Sequence, residues 1–114
     1  MIQSDNEWSP LKEVILGSSK RFNWSTDDPV FMDAYETMGW DFGGPVSHNV
    51  IGETEVALQY YKSILQRFDV VVHRPVEIDY VKLNAFGAYS PRDTVLVIGN
   101  KVIFTPCGWE KRRF

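Results

Sequence analysis

The stretch "YSPRDTVLVIGNKVIFTPCGWEKRRF", Tyr89 to Phe114, holds two short apolar runs, one on each side of Gly99-Asn100. A charged Pro91-Arg92-Asp93 stands directly before the first run. Two β-branched runs around a Gly-first pair predict an antiparallel hairpin over about 93–105, closed by a type II′ turn. With that loop Ile98 pairs with Lys101. Counting back, Asp93 faces Pro106 and Arg92 faces Cys107. Asp93, Val95 and Val97 then share one strand face, and Thr94, Leu96 and Ile98 the other. Both faces are apolar, so the strand is expected to be covered on both sides, with Asp93 at the mouth of a dry layer. A carboxylate there needs a cation or several donors, because an unpaired buried charge is costly. Pro91 fixes its own φ and drives Ser90 extended, which stiffens the approach to Asp93. Two readings stay open: a grip on a cationic ligand, or a purely local role in which Asp93 pairs with Arg92 or a neighbouring arginine or caps a turn.

Upstream, "LKEVILG" (Leu11 to Gly17) is a short apolar run closed by glycine and predicts a buried strand. "GETEVALQYYKSILQRF" (Gly52 to Phe68) carries the strongest helical period. Val56, Tyr60, Ile64 and Phe68 step by four, with Ala57, Tyr61 and Leu65 beside them, so a main helix is expected over about 53–68 with that stripe inward. Glu53 and Glu55 would sit in its first turn, where the helix dipole favours acids. "DVVVHRP" (Asp69 to Pro75) predicts a central strand ending at Pro75. "EIDYVKLNAFGAYSP" reads as loop. Residues 18–52 show no clear period, although Asp27 or Asp28 before Pro29 marks a short helix to about Met38. The aromatics of that segment, Phe22 through Phe42, are either core or a surface made for a partner.

The totals narrow the function classes. A chain of 114 residues, 44% hydrophobic and 24% charged, is expected to form a single α/β domain. A net charge of −3 argues against a general nucleic-acid or anionic-membrane binder. No apolar run approaches the length of a membrane span, and "MIQSDNEWSP" has neither the basic start nor the apolar stretch of a signal peptide. The single cysteine, Cys107, rules out an internal disulfide, and a reducing cytoplasm is the simpler expectation. Cys107 follows Pro106 with no histidine nearby in sequence and reads as a packed thiol rather than a nucleophile. His73 is expected at a strand end with a hydrogen-bonded imidazole, and His48 stands in a loop without a partner. Two distant histidines and one cysteine form no metal set, and no cofactor is implied. "EKRRF" reads as a solvated basic tail.

Three blocks resemble the amidinotransferases, the glycine/arginine branch of the guanidino-group-modifying enzymes. They are "NEWSPLKEVILG" (Asn6 to Gly17), "VVVHRP" (Val70 to Pro75) and "YSPRDTVLVIGNKVIFTPCGW" (Tyr89 to Trp109). The resemblance runs from about Asn6 to Phe114 and is weakest from Ser18 to Ile51. It implies a pentein fold, a fan of ββαβ modules, of which this chain would hold the N-terminal portion: one module and the start of the next. It also implies transfer of an amidino group from arginine to an acceptor amine. A cysteine attacks the guanidinium carbon, a histidine moves protons, and carboxylates hold the planar cation. By that resemblance Asp93 matches the substrate-contacting aspartate of the family's Pro-Arg-Asp motif, with Arg92 beside it. Cys107 matches a pocket-wall position where methionine is usual. Trp109 and Arg112 match the Trp and Arg of a W-x-x-R-x-x-E run that here stops before its Glu. The family's nucleophilic cysteine and its histidine belong to later modules, so no catalytic residue is expected in this chain. The expected partners are a guanidino substrate such as arginine and either the remaining modules or further copies of the chain. An interaction or regulatory module that self-assembles or docks on a full-length relative is the alternative.

Overall fold

The structure is a computed structural model that describes residues 3–6, 8–39 and 43–106. In chain order these form β1 (Glu13–Ile15), β2 (Asn23–Trp24), α1 (Pro29–Met38), β3 (Gly44–Pro45), α2 (His48–Arg67), β4 (Val71–His73), a 3-10 turn over Pro91–Asp93, β5 (Val95–Ile98) and β6 (Lys101–Phe104). The α/β class is as expected. Three two-stranded sheets carry both kinds of pairing. β1 and β4 are parallel, with Glu13 opposite Val71 and Ile15 opposite His73. A parallel pair needs a long crossover, and α2 supplies it by packing against β4. The expectation that Asp69 to Pro75 forms a central strand is corrected. Among the described residues β4 has one partner, β1, and its Val71 and His73 are exposed.

The segment without a period folds around its aromatics. Asp28 caps α1, its side chain accepting from the Val30 N–H at 2.9 Å, and Pro29 occupies the first turn. Gly39 at φ 64° ends the helix with its N–H on the Tyr35 carbonyl. α1 turns Phe31 and Tyr35 inward onto Phe86, and Phe22 and Trp24 close over them. Phe31 stacks on Phe86 at 5.2 Å, and Phe22 meets Phe86 edge-on at 4.6 Å. The polar groups caught here are satisfied: the Asn23 amide donates to the Ala85 carbonyl at 3.2 Å, and the Tyr35 hydroxyl to the Ser25 carbonyl at 3.2 Å. The loop after β4 thus provides core residues, Tyr80, Ala85 and Phe86. Trp40 and Phe42 lie outside the described residues.

α2 corrects the sequence reading in two respects. It begins at His48, because the Ser47 side chain accepts from the Val50 N–H and caps it there. Glu53 and Glu55 therefore fall beyond the first turn. The helix is also rotated from the expected orientation. Val56, Tyr60 and Phe68 are 70%, 68% and 74% exposed. Ile51, Glu55, Leu58, Lys62 and Leu65 form the half-buried side. Polar bonds of Glu55, described below, set this rotation against β4.

The hairpin has the expected register, Ile98 opposite Lys101 and Val95 opposite Phe104. Gly99 at φ 56° makes its turn, as a Gly-first II′ loop requires. Ser4 and Gly99 exchange backbone hydrogen bonds at 2.8 and 2.7 Å and tie the N-terminal segment to that turn. Two expectations fail here. The strand is not covered on both sides: Leu96 and Ile98 are exposed, as is all of β6. Nor does Asp93 continue the strand opposite Pro106. Pro91 starts a 3-10 turn in which the Asp93 N–H reaches the Ser90 carbonyl at 3.2 Å, and the strand begins only at Val95.

Candidate functional site

Asp93 is exposed at the end of the Pro91–Asp93 turn rather than sunk in a dry layer. Its backbone is nevertheless held. The Asp93 carbonyl accepts from the Thr105 hydroxyl at 3.3 Å, and the Thr105 N–H donates to the Thr94 carbonyl at 2.9 Å. The turn is thus fastened to the base of the hairpin. Pro91 and Arg92 from the same turn line a cleft of about 550 Å³. Its other walls are the N-terminal segment, β1 and the Val95–Val97 face of β5. Asp5, Lys12, Glu13 and His73 also reach it. Cys107, Trp109 and Arg112 lie outside the described residues.

The cleft wall holds a carboxylate–imidazole pair. Glu13 and His73 sit at opposite ends of the parallel β1–β4 pair, and Glu13 Oε2 lies 2.9 Å from His73 Nε2. His73 is the hydrogen-bonded strand-end residue that its position suggested. His48 opens α2 and is exposed. Among the described residues no hydroxyl bonds an imidazole, and no group of three or more metal-ligating side chains comes together. No helix among them is long and apolar enough to cross a membrane. Acidic and basic side chains, Asp5, Lys12, Glu13 and Arg92 among them, share the lining of this cleft.

A second polar centre escaped the sequence reading. The Glu55 carboxylate, projecting from α2, accepts from the Ser18 hydroxyl at 3.0 Å, the Ser19 N–H at 2.6 Å and the Ser19 hydroxyl at 3.1 Å. Its other oxygen takes Arg74 Nη2 at 2.7 Å. Glu55 and Arg74 side chains are only 15% and 17% exposed, so this is an interior ion pair with most of its bonds made. Burial works against the charged carboxylate, but the Ser19 amide, the two hydroxyls and Arg74 outweigh it and hold Glu55 below its ordinary pKa. The pair joins α2, the end of β4 and the loop that leaves β1. The available signal was Arg74 itself, a cation directly after an apolar strand, which demands an acid on the facing helix.

Comparison with known proteins follows the same outline. No family model matches the chain. The mitochondrial glycine amidinotransferase of Xenopus tropicalis is 36% identical over 129 residues, covering 97% of this chain and 29% of that enzyme. Inosamine-phosphate amidinotransferase 1 of Streptomyces glaucescens is 30% identical over 125 residues, covering 98% of this chain and 36% of its own length. Among solved structures, the inosamine-phosphate amidinotransferase of Streptomyces griseus superimposes with a TM-score of 0.78 at 30% identity, over 93% of this chain and 34% of that one. An amidinotransferase of the saxitoxin biosynthetic pathway from Microseira wollei gives 0.73 at 28% identity, over 92% and 34%. The chain therefore spans about a third of the length of the relatives it matches.

Proposed function

This chain is a member of the amidinotransferase family over the third of those enzymes that it spans, and from that premise we propose that it supplies the guanidinium-recognising wall of an amidinotransferase site. Asp93 takes one edge of the planar guanidinium of arginine, with Arg92 and the cleft beside it placing the rest of the molecule. The observation that supports this reading is the Pro91–Asp93 turn, fastened by Ser90 and Thr105: its Pro91 and Arg92 line a charged cleft, and Asp93 follows them directly in the turn without itself being among the lining residues. A carboxylate fixed by its backbone loses little freedom when it accepts two N–H donors. Recognition is then the contribution of this segment, and amidino transfer requires a nucleophile and a proton-shuttling base from the remainder of the site. Calorimetric titration of arginine into the chain tests it, together with an assay for ornithine in the presence of glycine. Arginine binding that weakens about tenfold or more in Asp93→Asn, with no ornithine formed, is the expected result. Binding indifferent to Asp93→Asn, or turnover by the chain alone, overturns it.

The hairpin favours a second reading, an interaction module. Every residue of β6 is exposed, and Phe104 is 80% accessible. An apolar two-stranded ribbon with open edges recruits further strands. Protection of the β6 amides from hydrogen exchange on mixing with the remaining two-thirds of an amidinotransferase supports this reading. Unchanged exchange counts against it.

A further inference from the structure

Four donors converge on the Glu55 carboxylate. Oε1 accepts from the Ser18 hydroxyl, the Ser19 N–H and the Ser19 hydroxyl, and Oε2 from Arg74 Nη2. Two acceptor oxygens serve all four, which the single acceptor oxygen of an amide could not do. The loop wrapped on this group is buried at Gly17, Ser18 and Ser19 and is tied on both sides. On one side the Leu16 N–H donates to the His73 carbonyl at 2.9 Å. On the other the Ser18 N–H donates to the Ala88 carbonyl at 3.0 Å, and the Asn23 N–H to the Phe86 carbonyl at 3.2 Å. Gly17 lies so close to the Tyr89 carbonyl that no Cβ fits between them. From Ala88 only Tyr89 and Ser90 remain before Pro91. The proline ring fixes its own φ and restricts Ser90, and the Ser90 carbonyl accepts the Asp93 N–H at 3.2 Å. A span this short and stiff passes a displacement at Ser18–Ser19 on to the Pro91–Asp93 turn.

We propose that Glu55 is a positioning residue for Asp93: its carboxylate pins the Ser18–Ser19 loop, the loop holds Ala88 and Tyr89, and these set where the turn presents the Asp93 carboxylate to a guanidinium. It rests on the arginine reading above for its ligand, not for its geometry. Glu55 is absent from the lining of the cleft, so its influence on binding passes through the turn. Two properties suit it to the role. The first is enclosure: Glu55 and Arg74 side chains are 15% and 17% exposed, so their attraction is little screened by water and the loop is held firmly. The second is reach. The carboxylate projects from α2, the longest element, and Arg74 follows directly on β4. The loop is thereby referred to a regular scaffold rather than to another loop, as a precisely held binding group requires. A guanidinium grip depends on that precision, because two parallel N–H···O bonds tolerate little misplacement of the acceptor.

Amide hydrogen exchange read by NMR, paired with calorimetric titration of arginine, tests it on the full chain, on Glu55→Gln, on Asp93→Asn and on the double variant. Glu55→Gln is expected to speed exchange at the Ser18, Asp93 and Thr94 amides and to leave the inner β5–β6 amides as they were. It should weaken arginine about tenfold where Asp93 is intact, and have no further effect in the Asp93→Asn background. Such non-additivity marks two residues acting as one, and a general loss of stability produces neither result. Ser18→Ala removes one donor and spares the ion pair with Arg74, so it carries the test if Glu55→Gln does not fold, with the same changes at smaller size. Turn amides indifferent to these substitutions overturn the proposal. So does an arginine loss of equal size with and without the Asp93 carboxylate. Arginine binding indifferent to Asp93→Asn alone overturns the arginine reading instead, and the turn amides then decide the positioning by themselves.

Discussion

Gly17 and Tyr89 are in backbone contact: a Cβ on Gly17 would run into the Tyr89 carbonyl and stand 2.9 Å from the Ala88 carbonyl oxygen. The adjoining Ser18 N–H donates to the Ala88 carbonyl at 3.0 Å. This crossing brings the exit of β1 against the segment that enters the Pro91–Asp93 turn. Neither neighbour is a side chain that can rotate away. Gly17→Ala should therefore cost about 3 kcal/mol or more, beyond the usual overpacking range, because backbone must move. Urea denaturation followed by tryptophan fluorescence measures it. A midpoint within error of the native chain would disprove the close approach.

Glu55 predicts an acid-dependent stability. Its carboxyl is held below its ordinary pKa in the folded chain, the Ser19, Ser18 and Arg74 contacts outweighing burial, so the stability it contributes is present above the unfolded pKa. That contribution is lost as pH falls through the lower folded value. Glu55→Gln should flatten this part of the stability–pH curve. Glu55→Ala, which strands Arg74 in the interior, should cost about 3 kcal/mol at neutral pH. Thermal unfolding at stepped pH distinguishes them. Parallel curves for the native chain and Glu55→Gln would refute the role of the carboxylate.

Phe86 and Val56 separate true core from apparent core. Phe86 is 8% exposed and touches the rings of Phe22, Trp24 and Phe31. Phe86→Ala should cost about 3–5 kcal/mol, a large part of the total stability of a domain this size. Val56→Ala, at a position 70% exposed, should lie within about 0.5 kcal/mol of the native chain. Equal losses at the two positions would return the Val56 stripe to the interior.

Gly99 offers a test of the hairpin. Its φ of 56° is strained for any residue with a Cβ. Gly99→Ala should cost about 1–2 kcal/mol, while Asn100→Ala, on the same turn, should cost much less. Chemical denaturation of the two variants gives the ordering, and a reversed ordering would contradict the turn type.

The parts legible in the sequence are those fixed by local chemistry. Asp28-Pro29 announced α1, Gly99-Asn100 announced the hairpin and its register, and His73 announced its place at a strand end. The illegible parts depend on partners distant in the chain. The period of α2 was read correctly as helical, but a stripe of Val56, Tyr60 and Phe68 carries no mark of which side will be covered. Four bonds to Glu55 decided that. Asp93 was expected in a dry layer because both faces of β5 are apolar, and apolarity alone does not establish that a cover is present. Residues 18–52 lacked a period because their core is built from single aromatics, Phe22, Trp24, Phe31 and Tyr35, spread over short elements. The motif resemblance came through at full length because Pro91-Arg92-Asp93 and the hairpin are short-range features.

The parallel pairing of Glu13–Ile15 with Val71–His73 carries a kinetic consequence. Both helices lie between the paired segments, so β1 leaves the ribosome well before its partner exists. At about 5–20 residues per second it waits several seconds with its edge bare. Closing so long a loop is slow compared with forming α1 or α2. Maturation should therefore run from the middle outward, and β1, made before its partner β4, is the natural client for a chaperone.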